Sequence, residues 1–149
     1  MKKITLILTL VFFSAVGAFA QLESPVTWSY VAKKTSKTEA TIYIKATIED
    51  NWHLYSQNIK PGGPSKTTFT FTKSKDYTAV GSTVEPKPII KYEKVFKMDV
   101  GYFQDEVVFT QKVKLNKATT VVKAVVNFQL CDDKQCLPPS DVTFSIPVK

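Results

Sequence analysis

The chain has 149 residues, with twenty basic and thirteen acidic side chains and a formal charge of +7. Every basic residue is a lysine, and the lysines are scattered along strand-like segments. With no arginine to grip phosphates bidentately, that argues against a nucleic-acid partner. A chain this long suits one domain that buries a real core without disulfide staples, so its only two cysteines need not be structural.

Residues 1–20 read as a secretory signal peptide. Lys2 and Lys3 supply the basic start, Ile4 to Phe13 the apolar stretch, and Ala18-Phe19-Ala20 a small-x-small cleavage site before Gln21. The apolar stretch is too short for a membrane anchor, and no cysteine follows the cleavage site to carry a lipid. Export with cleavage after Ala20 is therefore expected, leaving a mature domain of residues 21–149 in a compartment where disulfides persist. Loss of Lys2 and Lys3 takes the charge from +7 to +5.

Beyond that point the pattern has period 2. Val26 to Ala32 is a short strand candidate. Ile42, Ile44, Ala46 and Ile48 share one face, with Tyr43, Lys45, Thr47 and Glu49 on the other, and Glu49-Asp50-Asn51 makes a turn. Trp52-His53-Leu54-Tyr55-Ser56 then sets three ring side chains at one edge. Pro61-Gly62-Gly63-Pro64, the short strands Thr67 to Phe71 and Tyr77 to Ser82, and the break at Pro86-Lys87-Pro88 follow. Lys91 to Met98 reads as a lysine-rich loop carrying Tyr92 and Phe96.

Three longer strands complete the chain. Val107, Phe109, Val113 and Leu115 oppose Glu106, Thr110, Lys112 and Lys114, ahead of a turn at Asn116-Lys117. Val122, Ala124, Val126, Phe128 and Leu130 oppose Lys123 and Asn127. Val142, Phe144, Ile146 and Val148 oppose Thr143 and Ser145. No window carries a helical stripe. The pattern predicts an all-β single domain, an immunoglobulin-like antiparallel β-sandwich.

Cys131 and Cys136 follow a β-branched run, with four polar residues between them and Leu137-Pro138-Pro139 after them. So close a pair can bridge a tight turn, since a disulfide needs Cα atoms roughly 4.4–6.8 Å apart. The spacing is wrong for the inter-sheet disulfide of a true immunoglobulin domain. Two readings are open. As a staple, the bond closes too short a loop to add more than about 2 kcal/mol. As a redox pair, it offers an accessible sulfur and a second thiol to resolve a mixed disulfide. Asp132 and Asp133 oppose a thiolate there, and Lys134 favours one.

Other chemistries find less support. Two thiols and the lone His53 fall short of a structural zinc site, Met98 is the only mature methionine for copper, and the expectation is no metal. No nucleophile-elbow motif and no Gly-rich phosphate loop is present, and no cofactor is expected. The Lys91–Met98 loop is either solvated surface with one anchoring ring or a lid over a reactive bond.

Taken together, Asp50 to Ser56, Tyr92-Glu93-Lys94-Val95-Phe96, a strand from Tyr102 to Leu115, and Cys131 to Pro139 resemble the N-terminal periplasmic domain of the thiol:disulfide interchange protein DsbD. The resemblance implies a periplasmic module that receives electrons from a thioredoxin-like domain or protein and passes them to periplasmic oxidoreductases. It implies that Cys136 forms mixed disulfides and Cys131 resolves them. By the same resemblance, Tyr92, Glu93, Lys94, Val95 and Phe96 form a cap loop with Phe96 as the covering ring, and Tyr55 lies beside the pair. His53 stands where some members carry a second tyrosine, and the cysteine spacing is one residue shorter than in many of them.

No membrane helices or thioredoxin-like domain are expected after the last strand. The expectation is that these parts are separate chains, including a separate membrane reductase, or that the module works alone. The competing expectation is a non-catalytic secreted β-sandwich binding module whose disulfide only staples a hairpin. A metal-carrying periplasmic protein comes third.

Overall fold

The structure, a computed structural model, describes residues 24–149, so the expected signal peptide lies outside the described residues. These residues form strands β1 (Val26–Lys34), β2 (Glu39–Ile48), β3 (His53–Tyr55), β4 (Thr68–Phe71), β5 (Tyr77–Val84) and β6 (Ile89–Glu93). They continue with β7 (Met98–Phe103), β8 (Glu106–Leu115), β9 (Thr120–Phe128), β10 (Leu130–Cys131) and β11 (Ser140–Val148). No helix occurs among the described residues.

Alternating sequence explains the long strands. Ile42, Ile44, Ala46 and Ile48 of β2 are buried, as are Val107, Phe109, Val113 and Leu115 of β8. Val122, Ala124, Val126 and Phe128 of β9 and Phe144, Ile146 and Val148 of β11 complete the set, with Val142 half-buried. Each predicted face is thus the face that meets the core. One member of the β8 face was not foreseen: Gln111 is only 2% exposed in an otherwise apolar row. Its amide donates to the carbonyls of Val80 and Lys112, each at 2.9 Å, and accepts from the Thr83 hydroxyl at 2.8 Å. Those groups lie where β5 bulges against β8, with Gly81 at φ 69°, so Gln111 satisfies backbone that the bulge leaves unpaired.

Three antiparallel sheets result, in the orders β1-β2-β8-β5, β11-β9-β4 and β10-β3-β7-β6. The first two supply the two faces of the sandwich. Between them Trp28 packs on Phe109, Phe128 and Phe144, and Phe69 packs on Phe109. The third sheet closes one end, and two long runs feed it. β9 passes through Gln129 into β10, which pairs with β3 instead of β11. β7 passes through Gln104 and Asp105 into β8.

Two expectations are corrected here. The run from Tyr102 to Leu115 is two strands in two sheets, broken where Asp105 takes φ 59° and its carbonyl accepts from the Ile48 amide at 2.7 Å. The Lys91–Met98 segment is mostly a β-hairpin, with only Lys94 to Lys97 left as its turn. Its first strand lies on the sheet edge with Ile89, Ile90 and Tyr92 exposed, so it lacks the half-buried alternation that announces a strand.

Candidate functional site

Register in the third sheet decides which side chains meet. Directly paired residues of an antiparallel ladder project to the same face, and neighbours along a strand to opposite faces. Leu54 pairs with both Leu130 and Phe103, and all three enter the main core. The opposite face carries Cys131 paired with His53, Tyr55 paired with Tyr102, Lys91 paired with Val100, and Glu93 paired with Met98. One sheet face therefore assembles the site.

The cysteines sit across a small hairpin that extends β10. The Leu137 amide donates to the Leu130 carbonyl at 2.8 Å, and the Asp132 amide to the Gln135 carbonyl at 2.9 Å. Cys131 and Cys136 face each other between these bonds as a bridge pair without hydrogen bonds of its own, where antiparallel strands approach most closely. Their Cα atoms are 4.0 Å apart, closer than the span expected from the sequence, and their sulfurs are bonded. Asp132 builds the turn: its Oδ1 accepts from the amides of Lys134 at 2.7 Å and Gln135 at 2.6 Å. Those two donors, Lys134 first, hold the carboxyl below the usual range.

The two sulfur-bearing residues differ in access. Cys131 is 4% exposed, packed in a second cluster with Tyr55, Val100 and Tyr102, against which Ile59, Phe96 and Met98 lean. Cys136 is exposed. A cleft of about 310 Å³ separates the hairpin from the β6–β7 turn. Both cysteines and Asp132 to Gln135 form one wall, His53, Tyr55 and Tyr102 the floor, and Lys91, Glu93, Val95 and Phe96 the other wall.

The sequence-predicted residues distribute unevenly around this cleft. His53, Tyr55, Glu93, Val95 and Phe96 line it. Phe96 is half-buried against the Cys131 cluster, whereas Val95 is 85% exposed. Tyr92 and Lys94 do not line it, and Tyr92, 57% exposed, stands on the other face of β6. Burial first, and the Glu93 carboxylate second, push the Tyr55 phenol above its ordinary pKa, so it stays protonated at neutral pH.

His53 is held at both ring nitrogens. Gln104 Nε2 donates to His53 Nε2 at 2.9 Å, so Nδ1 carries the proton and donates to the Cys131 carbonyl at 3.1 Å. The ring stands edge-on to Tyr102, with centroids 4.6 Å apart at 80°. Gln104 and the turn-building role of Asp132 were missed from sequence. An Asp placed two and three residues before turn amides is a recognisable signal, but a half-buried glutamine at the junction of two strands carries none. Among the described residues, no three His, Cys, Asp or Glu side chains converge as metal ligands.

An immunoglobulin-like β-sandwich that presents a disulfide hairpin across a cleft from an aromatic-bearing turn defines a class of domain. The chain belongs to the family described as thiol:disulfide interchange protein DsbD, N-terminal, which matches residues 22–147. Its fold is similar to the N-terminal periplasmic domain of ScsB from Proteus mirabilis, at 18% identity and a TM-score of 0.60. The match covers 80% of this chain and 45% of that one. It is also similar to the reduced DsbD N-terminal domain of Neisseria meningitidis, at 18% identity and a TM-score of 0.52, covering 78% of this chain and 81% of that one. A third structure, of the complex between the DsbD and PilB N-terminal domains of Neisseria meningitidis, matches at 17% identity and a TM-score of 0.51. It covers 78% of this chain and 80% of that one. No curated protein sequence matches the chain.

Proposed function

We propose that the protein is a periplasmic thiol:disulfide exchange module that relays electrons through Cys131 and Cys136. A thioredoxin-like donor would supply them, and oxidised periplasmic oxidoreductases would accept them. The observation that carries this reading is the unequal access of one disulfide's two ends: Cys131 is buried and Cys136 is exposed in a cleft. The solved complex of a DsbD N-terminal domain with a PilB N-terminal domain supports a protein partner for such a domain. Export with cleavage after Ala20 and a mature domain of residues 21–149 belong to this proposal, as does a separate membrane reductase upstream.

The exchange runs in two displacements. A donor thiolate attacks Cys136 Sγ, the Cys131–Cys136 bond breaks, and Cys131 leaves as a thiolate while a mixed disulfide forms. The donor's second thiolate attacks its own sulfur in that bond and releases Cys136, so two electrons have passed to the pair and the donor leaves as a disulfide. With an oxidised acceptor the steps reverse: Cys136 attacks, and Cys131 closes the ring and releases the reduced partner.

Single-cysteine variants mixed with a thioredoxin-like protein test this. Cys131→Ser should accumulate a mixed disulfide through Cys136, and Cys136→Ser should not. Capture through Cys131 would reverse the two roles. No capture at all, with a reduction potential below about −300 mV, would leave the bond as a staple.

A further inference from the structure

The hairpin that carries the disulfide joins the third sheet through a short ladder. β10 is two residues long, and its ladder to β3 consists of the pairs Leu130–Leu54 and Cys131–His53. While the disulfide is closed, the bond itself holds Cys131 opposite Cys136. In the dithiol and the mixed disulfide that restraint is gone, yet in the mixed disulfide Cys131 must attack Cys136 Sγ itself and displace the partner's thiolate. Such a step is fast only if the attacking group is already positioned.

We infer that His53 and Gln104 are positioning residues that hold Cys131 in place when the disulfide is open. The proposal rests on the exchange reading above and adds to it how the resolving cysteine is controlled. Three contacts carry it. The Nδ1–H of His53 donates a hydrogen bond to the Cys131 carbonyl. Gln104, at the junction between β7 and β8, donates to Nε2 and so keeps the proton on Nδ1, where it is needed. Tyr102 fixes the plane of the ring from below. The tie reaches Cys131 through its backbone and leaves its sulfur free to react. Because Gln104 is anchored on the β7–β8 junction, where Asp105 bonds to Ile48, it connects the hairpin to the rigid sandwich.

The chemistry of resolution stays as written: the Cys131 thiolate displaces the leaving thiolate from the sulfur of Cys136, and the Cys131–Cys136 bond re-forms. His53 and Gln104 take no part in the electron count. Their loss should therefore slow ring closure more than the first encounter at exposed Cys136.

Reduced protein mixed with excess dithionitrobenzoate separates the two events. Cys136 attacks the reagent and releases one coloured thiolate in a phase that depends on reagent concentration. Cys131 then displaces the second in a concentration-independent phase, so the reagent takes up both electrons as the protein disulfide forms. Wild-type protein should show both phases, and a wild type that never releases the second thiolate would refute the exchange reading itself. Given a biphasic wild type, His53→Phe, which keeps the ring, and Gln104→Leu should lower the ratio of second- to first-phase rates by about fivefold to tenfold, the worth of one hydrogen bond to a positioned group. His53→Asn, whose amide nitrogen lies where Nδ1 does, should recover most of that ratio. A ratio unchanged in both His53→Phe and Gln104→Leu, each with a near-native denaturation midpoint, would overturn the inference. So would a loss in His53→Asn with none in His53→Phe, which would mean that ring packing alone matters.

Discussion

Truncating Phe96 to alanine is the sharpest test of whether the β6–β7 turn gates the disulfide. The ring is half-buried, leaning on the cluster of Tyr55, Val100, Tyr102 and Cys131 and not on the main core. Full burial of a phenylalanine side chain is worth about 1.5–3 kcal/mol, so half of it holds the turn down by about 0.75–1.5 kcal/mol. If a thiol must lift the ring to reach the sulfurs, the open form is populated roughly one time in four to one in ten, because 1.4 kcal/mol is about a factor of ten. Phe96→Ala should then speed reduction by dithiothreitol by about threefold to tenfold and lower stability by the same 0.75–1.5 kcal/mol. The rate can be followed by quenching with a maleimide and counting labelled thiols, and the stability by urea denaturation. One quantity sets both readouts. An unchanged reduction rate refutes the gate, and a simultaneous stability loss of about 3–5 kcal/mol would make the ring an ordinary core residue.

Three other substitutions probe the frame around the pair. Asp132→Ala removes the acceptor of two turn amides, and it should shift the exchange equilibrium with a glutathione redox buffer toward the dithiol by roughly threefold to tenfold, while Asp132→Asn changes it less. Tyr55 has its pKa raised in the fold, so above about pH 10 the unfolded chain loses its proton first and stability falls as pH rises. Tyr55→Phe should flatten the fall in urea midpoint across that alkaline range, and an identical slope would refute the shift. Gln111→Leu leaves the carbonyls at the β5 bulge and the Thr83 hydroxyl without their partner. It should cost about 1–3 kcal/mol in denaturation despite the gain in apolar volume.

What the sequence revealed follows from where burial is one-sided. β2, β8, β9 and β11 each have one face in the core and one in water, so period 2 marks them without further help. β6 is an edge strand with exposed residues on both faces, and nothing in Ile89-Ile90-Lys91-Tyr92-Glu93 separates it from a loop. The cysteine hairpin was legible because a strand, a polar turn and two prolines surround the pair. The rings of Trp52, His53 and Tyr55 were legible as a group at one edge, but not their division: Trp52 and Leu54 pack on the core, while His53 and Tyr55 face the cleft. Gln104 was not legible, because its role depends on β7 and β8 meeting beside β3. That is a fact of topology which no local pattern encodes.

The same topology explains why the two walls of the cleft can act independently. Hairpin and cap lie at opposite edges of one sheet, since β10 and β6 flank β3 and β7. With strands about 4.8 Å apart, the edges stand roughly 14 Å from each other. The space between is floored by the cross-strand partners Tyr55 and Tyr102, whose strands also bury Leu54 and Phe103 in the main core. A displacement of the Lys94–Lys97 turn would therefore be absorbed at an edge, where backbone groups on one side have no partner to lose. Cys131, at the other edge, is steadied by His53 from the fixed floor. In the proposed exchange, opening the cleft to a partner and holding the resolving sulfur ready would then be separate demands met by separate strands. Each can be weakened by substitution without the other.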